Sequence, residues 1–310
     1  MSETLHDCRD AFATTLIELA EADPRVVAVV NDSLGSSNLG GFSERFPERT
    51  FNVGIAEQTM VGVGAGLAGS GRIPFVSAAA SFLTGRATEQ IKVDAAYGRN
   101  NVKLCGQSPG MAYGELGPTH HSVEDISWLR AIPEIGIVIP ADDVETAATV
   151  RWAYEHQGPV YIRIPRMRVP SLFDSDYRFT PGRGRIARDG SDATVITNGV
   201  VLHHALDAAA QLAMEGFSLR VVSMPQVKPL DERLVLRCAE DTGRIVTAEE
   251  GQVSGGLGAA IASLLAQCLP TPMRILGVPD VFAPTGSEEW LLNHFGLTAT
   301  GITAAVRQFQ

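Results

Sequence analysis

Residues 51–71 read FNVGIAEQTMVGVGAGLAGSG, where the end of a predicted strand is followed by Glu57 and then by a run of small residues. We predict a helix over residues 56–69. Ligands of open α/β sheets bind beyond the carboxyl ends of strands, which is where Glu57 is expected. Its apolar neighbours predict a partly desolvated carboxyl with a pKa raised towards neutrality. On this segment alone, a carboxylate that caps a helix or compensates its dipole is the favoured interpretation.

Strand-like apolar runs alternate with amphipathic stretches around this segment. Strands are predicted at residues 26–30, 73–77, 102–105, 136–139 and 160–164. The helices predicted between them cover residues 12–22, 56–69, 86–97, 123–132 and 144–156. Asp142 can cap the last helix, and Gly158 with Pro159 ends it. Short β-rich runs separated by helices predict βαβ units around a mainly parallel sheet.

The alternation stops between residues 166 and 192, where Pro, Arg, Asp and Gly are frequent, as in a linker. It resumes with strands predicted at residues 193–197, 219–223, 244–248 and 273–276. The helices predicted there cover residues 202–215, 231–241, 257–267 and 298–308. We therefore predict two α/β domains, residues 1–170 and 192–310, joined by a linker of residues 171–191.

Composition excludes several classes of function. The formal net charge of −10, with no cluster of Lys and Arg, argues against a nucleic-acid partner. No apolar run is long and uninterrupted enough for a membrane span, and the first ten residues, MSETLHDCRD, lack the apolar core of a signal peptide. The four cysteines form no CxxC pair, so neither a disulfide framework nor a cysteine metal site is expected. We expect a cytoplasmic protein without a membrane partner.

A second informative segment, residues 114–125, reads GELGPTHHSVED. Its glycines and proline are expected to fix a loop in which His120 and His121 precede a helical turn. A histidine so placed can polarise or protonate a substrate oxygen near neutral pH. A metal site or a simple cap is the alternative, although adjacent histidines point in different directions and no third ligand is spaced nearby.

These two segments, with SFLTGRATEQIK (residues 81–92) between them, resemble the pyrimidine-binding domain of transketolases. The resemblance covers residues 9–166. It continues more loosely in the second domain, where TAEEGQVSGG (residues 247–256) is similar to a loop after that domain's third strand. The fold implied is a thiamine-diphosphate pyrimidine-binding domain followed by a transketolase C-terminal-like domain.

The resemblance implies thiamine diphosphate as the cofactor. Glu57 matches the family's glutamic acid, which hydrogen-bonds the aminopyrimidine ring and so activates the cofactor; this context reverses the interpretation as a cap. Phe82 matches the aromatic residue that stacks on the ring, with a core phenylalanine as the alternative. His120 matches the histidine at the substrate's reacting end. Asp32 matches an acidic residue near the cofactor and the subunit contact, or is an ordinary cap after a strand.

The resemblance also implies a clamp for the phosphate of a sugar substrate. Arg9, Ser37 and Arg166 match its members, and two guanidiniums with a hydroxyl suit a phosphate dianion. Without the resemblance, each arginine would be interpreted as a surface charge.

Four positions depart from the family's pattern. Leu116 stands where the family has an acidic residue that recognises a sugar hydroxyl, so an altered acceptor preference is expected. Ser108 replaces a phosphate-contacting histidine. Ala79 and Gly85 replace bulkier aromatics, which predicts a more open pyrimidine pocket. These changes leave the identity of the substrate open.

The family's GDG motif, which holds Mg²⁺ and the diphosphate together with a later asparagine segment, is absent from the sequence. The one Asp-Gly pair, Asp189-Gly190, lies in the predicted linker. Because Mg²⁺ needs several hard oxygen ligands, we expect an N-terminal partner subunit to supply them in an α2β2 assembly.

The activity implied is transfer of a two-carbon ketol unit from a ketose, expected to be phosphorylated, to an aldose, with the isolated chain inactive. The alternatives are a deoxyxylulose-phosphate-synthase-like enzyme, the β subunit of a 2-oxo-acid dehydrogenase, or a non-catalytic assembly subunit.

Overall fold

The computed structural model describes residues 4–309; residues 1–3 and 310, at the outer ends of the two predicted domains, lie outside the described residues. The strands of the first half are β1 (Leu5–Asp7), β2 (Val26–Val30), β3 (Thr50–Asn52), β4 (Ile73–Ala79), β5 (Lys103–Gln107), β6 (Gly136–Val138), β7 (Val160–Ile164) and β8 (Arg168–Pro170). Its α-helices are α1 (Cys8–Ala22), α2 (Gly40–Arg45), α3 (Glu57–Gly69), α4 (Ala80–Arg86), α5 (Thr88–Gln90), α6 (Asp125–Arg130) and α7 (Asp143–Glu155).

The second half has the same alternating character. Its strands are β9 (Arg185–Arg188), β10 (Ala193–Thr197), β11 (Leu219–Ser223), β12 (Gln226–Lys228), β13 (Ile245–Gln252) and β14 (Met273–Val278). Its helices are α8 (Val201–Met214), α9 (Glu232–Thr242), α10 (Leu257–Cys268), α11 (Glu288–His294) and α12 (Ala299–Arg307). Within residues 4–309, no helix combines the length and apolar character that a membrane span requires.

A seven-stranded sheet forms the centre of the first domain, in the order β12-β6-β7-β5-β4-β2-β3. All its pairs are parallel except that of β12 with β6. Strand β2 is buried along its whole length, which explains its uninterrupted sequence VVAVV. Because β12 belongs to the second half of the chain, main-chain pairing interlocks the two halves. The predicted α/β class is confirmed.

The second sheet has the order β14-β13-β10-β11-β9, with β9 antiparallel to its neighbour and the other pairs parallel. Strand β9 lies inside the predicted linker, so residues 185–188 are part of this sheet rather than free connector. The Asp-Gly pair next to it is structural. The Asp189 carboxylate accepts a hydrogen bond of 2.8 Å from Arg220, and a Cβ on Gly190 would clash with the Leu219 backbone.

Most of the predicted helices are observed close to their predicted positions. Asp142 caps α7 as expected, since its Oδ1 accepts a 2.7 Å hydrogen bond from the amide of Glu145. The helix predicted over residues 86–97 is confirmed as helical only from Thr88, and it is not a single α-helix. Arg86 is the last residue of α4, Ala87 leaves helical geometry with φ −105° and ψ 19°, and α5 and a π-helical turn (Ile91–Tyr97) follow.

Helix α3 packs unusually close to the sheet. A Cβ built on Gly64 would lie 2.6 Å from Cγ2 of Val76 on β4, so only glycine permits this approach. Gly64 is therefore a packing requirement of α3, and this close approach holds the amino end of the helix, with Glu57, beside the carboxyl ends of β2 and β4.

A buried ionic network connects the two domains. The Arg163 guanidinium donates to the Asp125 carboxylate at 2.9 Å and to the main-chain oxygen of Glu250 at 2.8 Å, and both side chains of the ion pair are at most 3% exposed. The carboxylate of Glu250 accepts a 2.6 Å hydrogen bond from the amide of Met111. The loop that contains His120 is thereby tied to the second domain.

Candidate functional site

The site lies where the strand order of the first sheet changes direction. Strand β2 has β3 on one side and β4 on the other, so the connections leaving these strands separate at their carboxyl ends and leave a crevice. A cavity of about 440 Å³ fills this crevice. Its walls are Asn31, Asp32, Ser33, Ser36, Ile55, Glu57, Ala79, Phe82, Arg86, Tyr113, Leu116 and His120.

Glu57 is the first residue of α3, and its side chain is only 2% exposed. The amide of Asn31, immediately after β2, donates to Oε1 at 2.7 Å. Nη1 of Arg86, at the end of α4, lies 3.0 Å from each carboxylate oxygen. Three separate segments of chain therefore fix the position and the charge of this carboxyl.

The predicted direction of the Glu57 pKa is wrong for the chain by itself. Burial acts to raise the pKa of Glu57, as the sequence suggested. Hydrogen bonds from Arg86, from the Glu57 amide and from Asn31 outweigh burial, so the pKa lies below its ordinary value. The apolar neighbours of Glu57 in the sequence give no sign of the Arg86 guanidinium, which belongs to a residue 29 positions further along the chain.

Phe82 and His120 line the same cavity as this carboxyl. Their rings are in edge contact, with centroids 5.2 Å apart. The face of Phe82 is covered by the Arg86 guanidinium, whose Cζ is 4.2 Å from the ring centroid. The Nδ1 atom of His120 is 2.9 Å from the hydroxyl of Thr119, and a second edge contact, of 6.0 Å, joins His120 to Tyr113.

Asp32 also faces the cavity, at its exposed rim. It has φ +67°, a left-handed conformation that the side chain of Asn52 supports by accepting a 3.0 Å hydrogen bond from the Asp32 amide. Its neighbour Asn31 is the residue that bonds to Glu57, and sequence reasoning missed it. The feature of the sequence that could have identified Asn31 is its position, one residue after a fully buried strand.

Two of the predicted clamp residues are held inside the protein. The Arg9 guanidinium is 12% exposed and is engaged by the carboxylate of Asp7 at 2.6 Å and the main-chain oxygen of Ser36 at 3.1 Å. Ser37 is fully buried, and its hydroxyl has no hydrogen-bond partner among the described residues. Ser36, rather than Ser37, reaches the cavity wall.

The third predicted clamp residue, Arg166, follows β7. Its Cζ lies 5.2 Å from the ring centroid of Tyr113, which is itself part of the cavity wall. The guanidinium is therefore stacked on the outer side of the site.

The four departures from the family pattern occupy different surroundings. Leu116 is 55% exposed at the cavity wall, and Ala79 also lines the cavity. Ser108 is buried away from it, with φ +52°. The prediction that Gly85 opens the pocket is wrong, because a Cβ there would meet the ring of Trp128 at 3.2 Å rather than the cavity.

Three larger clefts, of about 980, 820 and 520 Å³, lie elsewhere and contain none of the groups around Glu57. Within residues 4–309, no three side chains of His, Cys, Asp or Glu converge as ligands for a metal ion.

A crevice at a change of strand order, lined by a buried carboxyl and an aromatic ring, is typical of the ligand sites of open α/β proteins. The comparisons with known proteins agree. Residues 6–171 match the family "Transketolase, pyrimidine binding domain" and residues 182–302 match "Transketolase, C-terminal domain". The chain belongs to the transketolase family, which implies dependence on thiamine diphosphate.

Its relatives include subunits of divided transketolases. The chain is 41% identical over 310 residues to an apulose-4-phosphate transketolase subunit of Phocaeicola vulgatus, covering all of this chain and 99% of that protein. It is 39% identical to a 6-deoxy-6-sulfo-D-fructose transketolase subunit of a Clostridium species, over 98% of this chain and 94% of that protein. A solved structure, "Split gene transketolase, inactive beta4 tetramer", has a TM-score of 0.89 and 41% identity over 97% of both chains.

A further relative belongs to a different branch. The chain is 40% identical over 301 residues to "1-deoxy-D-xylulose-5-phosphate synthase" of Syntrophotalea carbinolica, but it spans only 47% of that protein.

Proposed function

We propose that this chain is the C-terminal-half subunit of a two-subunit, thiamine-diphosphate-dependent transketolase, a transferase of two-carbon ketol units between a ketose and an aldose. The observation that carries the proposal is the buried Glu57 carboxyl, which lines one cavity together with Phe82 and His120.

The residues present fit the pyrimidine end of the cofactor. A flat aminopyrimidine needs an apolar face for stacking and a hydrogen-bond partner for its ring nitrogen, and the cavity offers Phe82 and Glu57 for these roles. Asn31 fixes the rotamer of Glu57 through its 2.7 Å hydrogen bond. When bound, the cofactor supplies the nucleophilic carbon that attacks the donor's carbonyl group.

The residues present do not fit the diphosphate end. The GDG motif is absent from the sequence, and no metal-ligand cluster exists within residues 4–309. An N-terminal subunit therefore supplies the ligands of Mg²⁺ and of the diphosphate, in an α2β2 assembly. The inactive β4 tetramer of the related solved structure supports the requirement for this second subunit.

His120 is proposed to act on the substrate. Its imidazole is half-buried at the cavity wall, 2.9 Å from the Thr119 hydroxyl, so it can donate to or protonate the oxygen at the reacting end. Asp32 contributes charge at the rim near the cofactor and the subunit contact.

The substrate is proposed to carry an anionic group. Arg166 lies over the ring of Tyr113 in the cavity wall, and Arg9 donates to the main-chain oxygen of Ser36, a cavity residue next to Ser37. Two relatives, an apulose-4-phosphate and a sulfofructose transketolase subunit, support an anionic sugar. Leu116 offers no hydrogen bond to a sugar hydroxyl, which favours a substrate other than an ordinary linear sugar phosphate.

The test is reconstitution with the N-terminal subunit, Mg²⁺ and thiamine diphosphate, followed by assay of ketol transfer from a panel of phosphorylated ketoses. We expect transfer by the complex and none by either subunit alone. The Glu57→Ala complex should lose nearly all turnover while still assembling. Full turnover by that variant would indicate an assembly subunit, and the absence of transfer from every ketose would overturn the proposal.

A second candidate is a deoxyxylulose-phosphate-synthase-like activity, favoured by the 40% identity to such a synthase. The same complex should then form 1-deoxy-D-xylulose 5-phosphate from a 2-oxo acid donor more readily than it transfers a ketol unit from any ketose phosphate.

A further inference from the structure

Arg86 occupies the space between the two residues assigned to the pyrimidine ring. Its Nη1 lies 3.0 Å from both oxygens of the Glu57 carboxylate, and its Cζ lies 4.2 Å from the centroid of Phe82. One planar group therefore makes a carboxylate contact at its edge and a stacking contact on its face.

These two contacts are the ones that an aminopyrimidine ring needs. A guanidinium and an aminopyrimidine are both flat, delocalised groups with N–H donors at the edge. Since Arg86 bonds to Glu57 and lies over the Phe82 ring within the cavity that all three residues line, the ring and the guanidinium compete for the same place.

We propose that Arg86 is an internal competitor for the pyrimidine site: it occupies the place between Glu57 and Phe82 in the subunit alone and must leave when the cofactor's ring enters. This inference rests on the function proposed above. It makes Arg86 a positioning residue that acts through Glu57.

The surroundings of Arg86 allow this movement. Arg86 is the last residue of α4, next to the break in helical geometry at Ala87, and its side chain is 48% exposed. The side chain can rotate towards solvent without disturbing the buried core. Glu57, at 2% exposed, cannot follow it.

Replacement of the Arg86 guanidinium by the cofactor's ring changes the charge of the site. With the guanidinium present, the pKa of Glu57 lies below its ordinary value, because the hydrogen bonds from Arg86 and Asn31 outweigh burial. Once Arg86 leaves, its hydrogen bond and its charge no longer lower the pKa of Glu57, so the pKa rises relative to that of the subunit alone and favours the protonated carboxyl that a hydrogen bond to a ring nitrogen requires. The carboxyl is thus kept ionised until the ring displaces the arginine.

The test measures thiamine diphosphate binding by calorimetry in the reconstituted complex. Arg86→Met keeps the length of the side chain but removes its charge and donors. Removing a competitor raises the apparent affinity by a factor equal to the inverse of the fraction of time that the site is free. For a partly exposed ion pair we expect roughly two- to five-fold tighter binding, with Arg86→Lys in between. Arg99→Met, at an exposed ion pair with Glu134, is the control and should bind like the wild type.

A second readout needs no cofactor. The carboxyl pKa of Glu57, followed by ¹³C NMR in the subunit alone, should rise in Arg86→Met and stay unchanged in Arg99→Met. Asp32, Tyr113 and His120 are the other titratable groups of the cavity wall, so the Glu57 signal is assigned by its loss in Glu57→Gln.

The outcomes separate the two proposals. Equal or weaker cofactor binding by Arg86→Met, or an unchanged Glu57 pKa, overturns the role of Arg86 and leaves the proposed function standing. If neither the wild type nor the variant binds the cofactor once assembled, the proposed function fails and this inference fails with it.

Discussion

The side-chain amide of Asn31 donates a 2.7 Å hydrogen bond to Oε1 of Glu57, across 26 positions of sequence. The Ser33 hydroxyl in turn donates to Oδ1 of Asn31 at 2.5 Å, which fixes the orientation of the amide. The carboxyl assigned to the cofactor is therefore held by a hydrogen-bonded chain that begins just beyond β2.

Asn31→Ala should lower the turnover of the reconstituted complex without preventing assembly. A lost hydrogen bond to a charged group corresponds to about 1.5–3 kcal/mol, or roughly a 10- to 100-fold fall in rate if it is felt fully in the transition state. Steady-state kinetics measure the effect. Asn293→Ala, at an exposed position of α11, is the matched control. Equal turnover in both variants would show that Asn31 does not orient Glu57.

Arg163→Met should destabilise the subunit by about 3–5 kcal/mol, because it leaves the buried Asp125 without its ion-pair partner and frees the main-chain oxygen of Glu250. Chemical denaturation measures the change. Arg99→Met removes an exposed ion pair and should leave the midpoint almost unchanged. A similar midpoint for both variants would mean that the buried network does not stabilise the domain junction.

Stability should fall between about pH 4.5 and pH 7 because of Glu145. Burial raises the pKa of this fully buried carboxyl to about 7, even though the hydroxyl of Tyr177 donates to it at 2.6 Å. As pH rises, the unfolded chain ionises first, so unfolding is favoured until the folded carboxyl ionises as well. Across this window the contribution of Glu145 to the free energy of unfolding falls by on the order of 3 kcal/mol, since one pKa unit corresponds to about 1.4 kcal/mol.

Thermal unfolding at several pH values tests this expectation. Glu145→Gln should flatten the profile across that window. Glu155→Gln, at the exposed end of the same helix, should keep the wild-type slope. Parallel profiles for the wild type and Glu145→Gln would contradict the assignment. Asp142 and Arg185 are the other charged groups that influence Glu145.

Gly64→Ala should destabilise the subunit by about 1–3 kcal/mol, because the new Cβ would lie 2.6 Å from Val76 and push α3 from the sheet. Gly66→Ala, two residues further along the same helix, meets nothing within 4 Å and should stabilise by about 0.5–1 kcal/mol. Calorimetric unfolding distinguishes them. Equal effects would mean that the close approach of α3 is not required.

The buried parallel strands are the most predictable part of the fold. The predicted limits of Val26–Val30, Val160–Ile164, Ala193–Thr197 and Leu219–Ser223 are those observed. Strands covered on both faces are marked by continuous β-branched sequence. Sequence patterns do not predict the short strands β1, β8 and β12 and indicate only the end of β3, because the backbone of these strands is ordered by partners far away in the sequence rather than by local preference.

The candidate site also combines residues that the sequence predicts with residues that it does not. The resemblance to transketolases selects Glu57, Phe82 and His120, and the structure brings these three residues to one cavity. Sequence reasoning selects neither Asn31 nor Arg86, because their importance depends on long-range contacts. Arg86 is predicted to begin a helix, whereas it is the last residue of α4.

The central claim is most directly tested by the distance between the Glu57 carboxyl and the pyrimidine ring in a crystal structure of the reconstituted complex with thiamine diphosphate and Mg²⁺. We predict about 2.6–3.0 Å from a carboxyl oxygen to a ring nitrogen, with the ring stacked on Phe82 and Arg86 turned away. A ring bound elsewhere, with Glu57 still paired to Arg86, would contradict the account.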